Sequence, residues 1–156
     1  MSVEKIGLLV HLLGAFAFIG GVVTAGAAYE TARRRRSAIE VAAVLRVART
    51  GAIVTLIGGV ALLVGGFWLA GHLDLFRHRW LEASILAFIL SMALGAVAGR
   101  RPKKARELAT RIASGDGGDP EEFRRLLNDP GARLLNYVSA ALALAVLVLM
   151  IWQPVF

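Results

Sequence analysis

The chain has 156 residues, 57% of them hydrophobic, a formal net charge of +7 and a mean hydropathy of +0.66. A domain this small cannot hide so much apolar surface in a water-soluble core, so lipid is the natural place for it. The absence of cysteine excludes disulfides, thiolate metal sites and cysteine nucleophiles. The basic residues lie between apolar runs, which points to a membrane surface as partner rather than to nucleic acid.

In chain order, four stretches lack Asp, Glu, Lys and Arg: Ile6 to Tyr29, Gly51 to Leu73, Ala83 to Gly99 and Leu134 to Phe156. About 20 apolar residues cross the hydrocarbon layer as a helix. The third stretch is short, and Trp80 and Leu81 extend it past Glu82. None alternates apolar with polar residues as a barrel strand would, and backbone in lipid must pair within its own segment. The spacing therefore predicts membrane helices over about 6–29, 51–73, 80–99 and 134–155. The first run is too long for a signal peptide and its basic cluster follows it, so it reads as a retained span.

Ser37-Ala-Ile-Glu40 has capping-box spacing, which predicts that the second helix starts in water and runs about three turns before entering the membrane. Lys103 to Ala113 reads as an amphipathic surface helix, followed by a flexible break at Ser114-Gly-Asp-Gly-Gly. Asp119-Pro120 starts another short helix, and Asn128-Asp-Pro-Gly131 turns the chain into the last span. The loops 30–50 and 100–133 carry all but three of the 18 basic residues, the exceptions being Lys5, Arg77 and Arg79. Positive loops stay in the cytoplasm. The expected architecture is one membrane domain over 1–156: an all-α, integral membrane four-helix bundle with antiparallel neighbours and non-cytoplasmic N- and C-termini.

Small residues recur on one face of each of the first two spans, Gly7, Gly14, Gly21, Ala25 and Ala28 on one, Gly51, Gly58 and Gly65 on the other, and Ser84, Ser91 and Gly95 mark the third. Such faces let membrane helices approach closely. They can be packing surfaces alone. His11 lies on the first of them. An imidazole at that depth should face the bundle, either bonded to a neighbouring helix or as a ligand to haem, copper or another metal. Gly7 and Gly14 beside it would leave room for a flat macrocycle. His72, His78 and Met150 come to the same outer half and complete a conceivable copper set, although the two histidines also read as interfacial turn residues. Trp68, Trp80 and Trp152 fit an aromatic belt at the outer interface. Asp74 and Glu82 can pair with Arg77 or Arg79. No nucleotide loop, HExxH or catalytic triad is present, so no catalytic residue is assigned.

The segment His11-Leu-Leu-Gly14-Ala-Phe-Ala-Phe18-Ile-Gly-Gly21 resembles the first-span motif of the superfamily of HemJ-type protoporphyrinogen oxidases and copper-resistance protein D. Arg133-Leu-Leu-Asn136 resembles that group's entry to its last span, and Gln153-Pro154-Val-Phe156 its closing Lys-Pro-Phe. The layout also resembles uncharacterised bacterial four-span proteins of the same superfamily, through Leu149-Met150-Ile-Trp-Gln-Pro154. The resemblance implies a protein of the bacterial plasma membrane that binds b-type haem or copper. His11, Gly14, Phe18 and Gly21 would form its cofactor face, and His72 is the first candidate for a second ligand. Tyr137 and Gln153 stand where oxidase-like members carry Glu and Lys, and no Arg follows Gly21 in the span. These departures count against porphyrinogen oxidation. The second reading is of another class: a structural or accessory subunit of a larger membrane complex or a homo-oligomer, without a cofactor. The small-residue faces would then serve protein contacts.

Overall fold

A computed structural model describes residues 3–153, which are helical almost throughout, with no strand among them. α1 covers Val3–Arg34 and α2 Ala38–His72. A single 3₁₀ turn, Leu75–Arg77, leads into α3, Arg79–Ala98. α4 (Arg100–Ser114), α5 (Pro120–Leu127) and α6 (Pro130–Trp152) complete the chain. Four helical segments are long and apolar enough to cross a membrane, in the order expected. The architecture is that of an all-α membrane four-helix bundle.

α1 and α2 form a tightly packed antiparallel pair. Gly7, Gly14 and Gly21 recur every seven residues on one helix and Gly51, Gly58 and Gly65 on the other. A seven-residue repeat keeps one face of a helix against its partner. Here the faces meet backbone to backbone. A Cβ on Gly51 would lie 2.7 Å from the nitrogen of Ala25, one on Gly21 would lie 2.5 Å from the nitrogen of Thr55, and one on Gly58 would strike the backbone of Phe18. Lipid offers no hydrophobic drive for this pairing, so dispersion at close approach must supply it.

α3 packs on α6 by a different device. Ser91 Oγ donates to the carbonyl of Ser139 at 2.8 Å, and Ser139 Oγ donates to the carbonyl of Ser91 at 2.8 Å. Gly95 lets Ser139 approach, since a Cβ there would lie 3.1 Å from its hydroxyl. The two helix pairs meet at mid-depth. Phe18 and Phe88 sit with centroids 5.1 Å apart, and Met92 reaches Gly59.

The arginine-rich end carries a core of its own. Ala28, Tyr29 and Ala32 of α1, Val41, Ala42, Leu45 and Ala48 of α2, Ala105 and Ala109 of α4, and Phe123, Leu126 and Leu127 of α5 are all buried in one cluster. The small alanines at helical spacing let α4 lie against α2. Tyr29 donates its hydroxyl to the carbonyl of Leu127 at 3.0 Å, and Arg124 donates to the carbonyls of Arg35 and Arg36 at 3.0 and 2.9 Å. The spans thus end in a packed cap rather than in loose loops.

The caps are partly those expected. Asp119 accepts from the Glu121 N–H, Asp129 accepts from Gly131 and Ala132, and a proline follows each. Gly115, at φ 79°, ends α4 in the left-handed conformation that favours glycine. Ser37 differs. α2 starts beside it as expected, but its hydroxyl makes no capping bond, and Glu40 instead faces Arg35 at 3.6 Å. With four arginines just upstream, the carboxylate is drawn to a guanidinium instead of the backbone. The surface helix runs from Arg100, earlier than Lys103, because α3 continues into it with little break. Trp80 also departs from the expected aromatic belt: it is only 5% exposed and packs with Ala70 and Leu81 inside the bundle. Trp68 and Trp152 remain exposed.

Candidate ligand site at His11

His11 stands in the half of α1 remote from the arginine-rich end, half-buried against α2. Two glycines of α2 make the space for it. A Cβ on Gly65 would lie 2.6 Å from the His11 nitrogen, and one on Gly66 would lie 3.1 Å from both Nδ1 and Cε1 of the ring. One turn earlier on α2, the carbonyl oxygen of Leu62 is 2.9 Å from His11 Nδ1. A carbonyl can only accept, so Nδ1 carries the proton and donates it. In the neutral ring Nε2 then holds the lone pair. Metal-bound histidines are oriented in this way, one nitrogen anchored by a carbonyl or carboxylate and the other left to the ligand.

The other proposed residues are distributed as follows. Gly14 abuts the backbone of Ala61 and Leu62, and Gly21 abuts Thr55 and the Gly51 carbonyl. Phe18 is 4% exposed and packed against Phe88 with the two rings tilted at 49°. These positions are filled by α2 and by the mid-depth cluster, and a flat macrocycle does not fit between α1 and α2. Gly7 is likewise closed, its missing Cβ lying 2.6 Å from Cδ1 of Trp68. His72 ends α2. Its Nδ1 donates to the Trp68 carbonyl at 3.1 Å and its ring stacks on that indole at 4.6 Å. Seven residues separate His72 from Gly65, about 10 Å along the helix axis. His78 caps α3 and stacks on Trp80 at 6.3 Å. Met150 is half-buried between the mid-depth cluster and the Ala70–Trp80–Leu81 cluster. Among the described residues no three His, Asp or Glu side chains gather into a metal-holding group. Asp74 pairs with Arg77 at 3.5 Å.

The carbonyl of Leu62 and the pair Gly65-Gly66 escaped sequence reasoning as partners of His11. A backbone acceptor has no sequence signature. The glycines did carry one: Gly58-Gly59 and Gly65-Gly66 are doublets seven residues apart, so α2 has two adjacent rows without side chains. The first row admits the α1 backbone, and the second takes a side chain, His11 at Gly66 and Met92 at Gly59.

A family model described as a predicted integral membrane protein, DUF2269, matches residues 6–154. No curated protein and no solved structure matches the chain.

Proposed function

We propose that this chain, which belongs to the DUF2269 family of predicted integral membrane proteins, uses His11 as a single imidazole ligand to a transition metal or to the iron of a b-type haem. The observation that carries this reading is the His11 Nδ1–Leu62 carbonyl bond, which presets the tautomer and ring orientation a ligand needs. The likeness of the His11–Gly21 segment to the HemJ and copper-resistance protein D superfamily supports the same residue. Bound there, iron or copper would supply one-electron chemistry. The chain's own part is to hold the imidazole and exclude water from it.

The fit sets a limit on how a cofactor is held. A macrocycle would have to approach His11 from outside the α1–α2 contact, and further ligands would have to come from a second copy or another membrane protein. His72, His78 and Met150 are the chain's own candidates for such a donor. On this reading the basic loops lie in the cytoplasm and both chain ends outside, so the proposed redox or metal-handling site falls in the outer half of the membrane. The likeness to bacterial four-span proteins supports a bacterial plasma membrane.

The test is an optical spectrum and a metal analysis of detergent-purified protein. The reading predicts a Soret band, or stoichiometric iron, copper or zinc, that His11→Ala abolishes. Protein with neither would favour a structural or accessory subunit that carries no cofactor, as would fixed membrane partners that stay bound after His11→Ala.

A further inference from the structure

At the junction of α3 with α4 and of α5 with α6 the surface holds a notch of about 570 Å³. Arg101, Glu122, Arg125 and Asp129 line it together with Leu126 and Pro130. Its depth follows from the helices that frame it. The uncharged stretch that runs through α3 ends at its C-cap Gly99, two residues before Arg101, and that of α6 begins at Leu134, four residues after Pro130. At 1.5 Å per residue these walls stand about 3–6 Å outside the hydrocarbon layer. The headgroup region occupies roughly 5–7 Å on each side of that layer.

The charges in the notch are of both signs and are not all paired. Arg101 Nε meets Asp129 Oδ2 at 3.1 Å, which leaves the two terminal nitrogens of Arg101. Asp129 Oδ1 already accepts from Gly131 and Ala132, so the N-terminus of α6 is closed to an incoming anion. Arg125 and Glu122 are exposed, and neither has an ion-pair partner among the described residues. A cation and a carboxylate thus stand unpaired around one cavity, above an apolar wall formed by Leu126 and Pro130.

We propose that this notch binds the headgroup of phosphatidylethanolamine. The phosphate meets Arg125 and the terminal nitrogens of Arg101. The primary ammonium, two carbons away, donates to Glu122. A guanidinium suits the phosphate because its planar donors can bond two oxygens at once. A quaternary choline ammonium has no N–H to give Glu122, and an anionic glycerol headgroup leaves that carboxylate without a cation. The site therefore selects by headgroup, unlike the general attraction of basic loops to anionic lipid.

The protein would be assembled into nanodiscs of equal phosphatidylethanolamine, phosphatidylcholine and phosphatidylglycerol and released for native mass spectrometry. The expected result is retention of phosphatidylethanolamine several-fold above the other two. Arg125→Gln should lower all retained phospholipid, whereas Glu122→Gln should remove the preference for ethanolamine over choline and leave the total unchanged. Both side chains are exposed and make no ion pair among the described residues, so unchanged helicity by circular dichroism is expected of both variants. Equal retention of the three lipids by the wild type, or the wild-type pattern in both variants, would overturn the proposal. So would binding of soluble phosphoethanolamine by protein that shows no preference among lipids.

Discussion

His11 and Leu62, 51 residues apart, are joined by a 2.9 Å bond from the imidazole Nδ1 to a main-chain carbonyl within the span region. Leu62 sits one turn from the two glycines that admit the ring. Anchor and space therefore come from one short stretch of α2. Replacing His11 by Ala leaves that carbonyl still inside a continuous helix, where the backbone ladder can satisfy it. The expected loss of stability is about 1 kcal/mol, read as a small fall in the thermal midpoint in detergent, whereas ligand binding should vanish. A large fall in midpoint would make His11 chiefly a packing residue.

The glycine repeat gives a paired prediction. Gly14→Ala drives a methyl into the backbone of Leu62, and backbone cannot swing aside as a side chain can. The two helices must separate, at a cost of about 1–3 kcal/mol. Gly20→Ala is the control. Nothing lies within 4 Å of its missing Cβ, and alanine favours a helix over glycine by up to about 1 kcal/mol. Thermal denaturation in one detergent should show Gly14→Ala melting earlier and Gly20→Ala unchanged or later.

Ser91 and Ser139 exchange two hydrogen bonds between α3 and α6. A double-mutant cycle with Ser91→Ala and Ser139→Ala should give a coupling energy of about 0.6–2 kcal/mol, the range for hydrogen bonds between membrane helices. Additive single effects would mean that the helix pair is held by close packing alone.

Tyr29 fastens the cap to the spans through the Leu127 carbonyl. Tyr29→Phe keeps the ring in the buried cluster and removes only that bond, at a cost of about 1 kcal/mol. The effect should be local. Hydrogen exchange should quicken in α5, Pro120–Leu127, and remain unchanged in the paired region of α1 and α2. Uniform acceleration over all helices would show that the cap and the spans unfold together.

The spans, their pairing faces and most helix starts were legible in the sequence, because hydropathy, small-residue spacing and Asp-Pro caps are local signals. Trp80 was not, since a tryptophan at a helix end looks the same whether it faces headgroups or turns inward against Ala70. The cap core was also hidden. Its buried residues on α2 and α4 are mostly alanines between arginines, and that composition reads as a solvated basic loop until α4 is placed on α2. At the candidate site the histidine stood out through its depth. The glycines around it read equally well as room for a cofactor or as room for a helix, and the fold gives that room to α2.

The most direct test of the account is the protonation of the His11 ring, by nitrogen-15 nuclear magnetic resonance of side-chain-labelled protein in nanodiscs. The account predicts a proton on Nδ1, held to the Leu62 carbonyl, and an Nε2 resonance that shifts or broadens when zinc or haem is added. A ring protonated on Nε2, or an Nε2 resonance that neither additive moves, would contradict it.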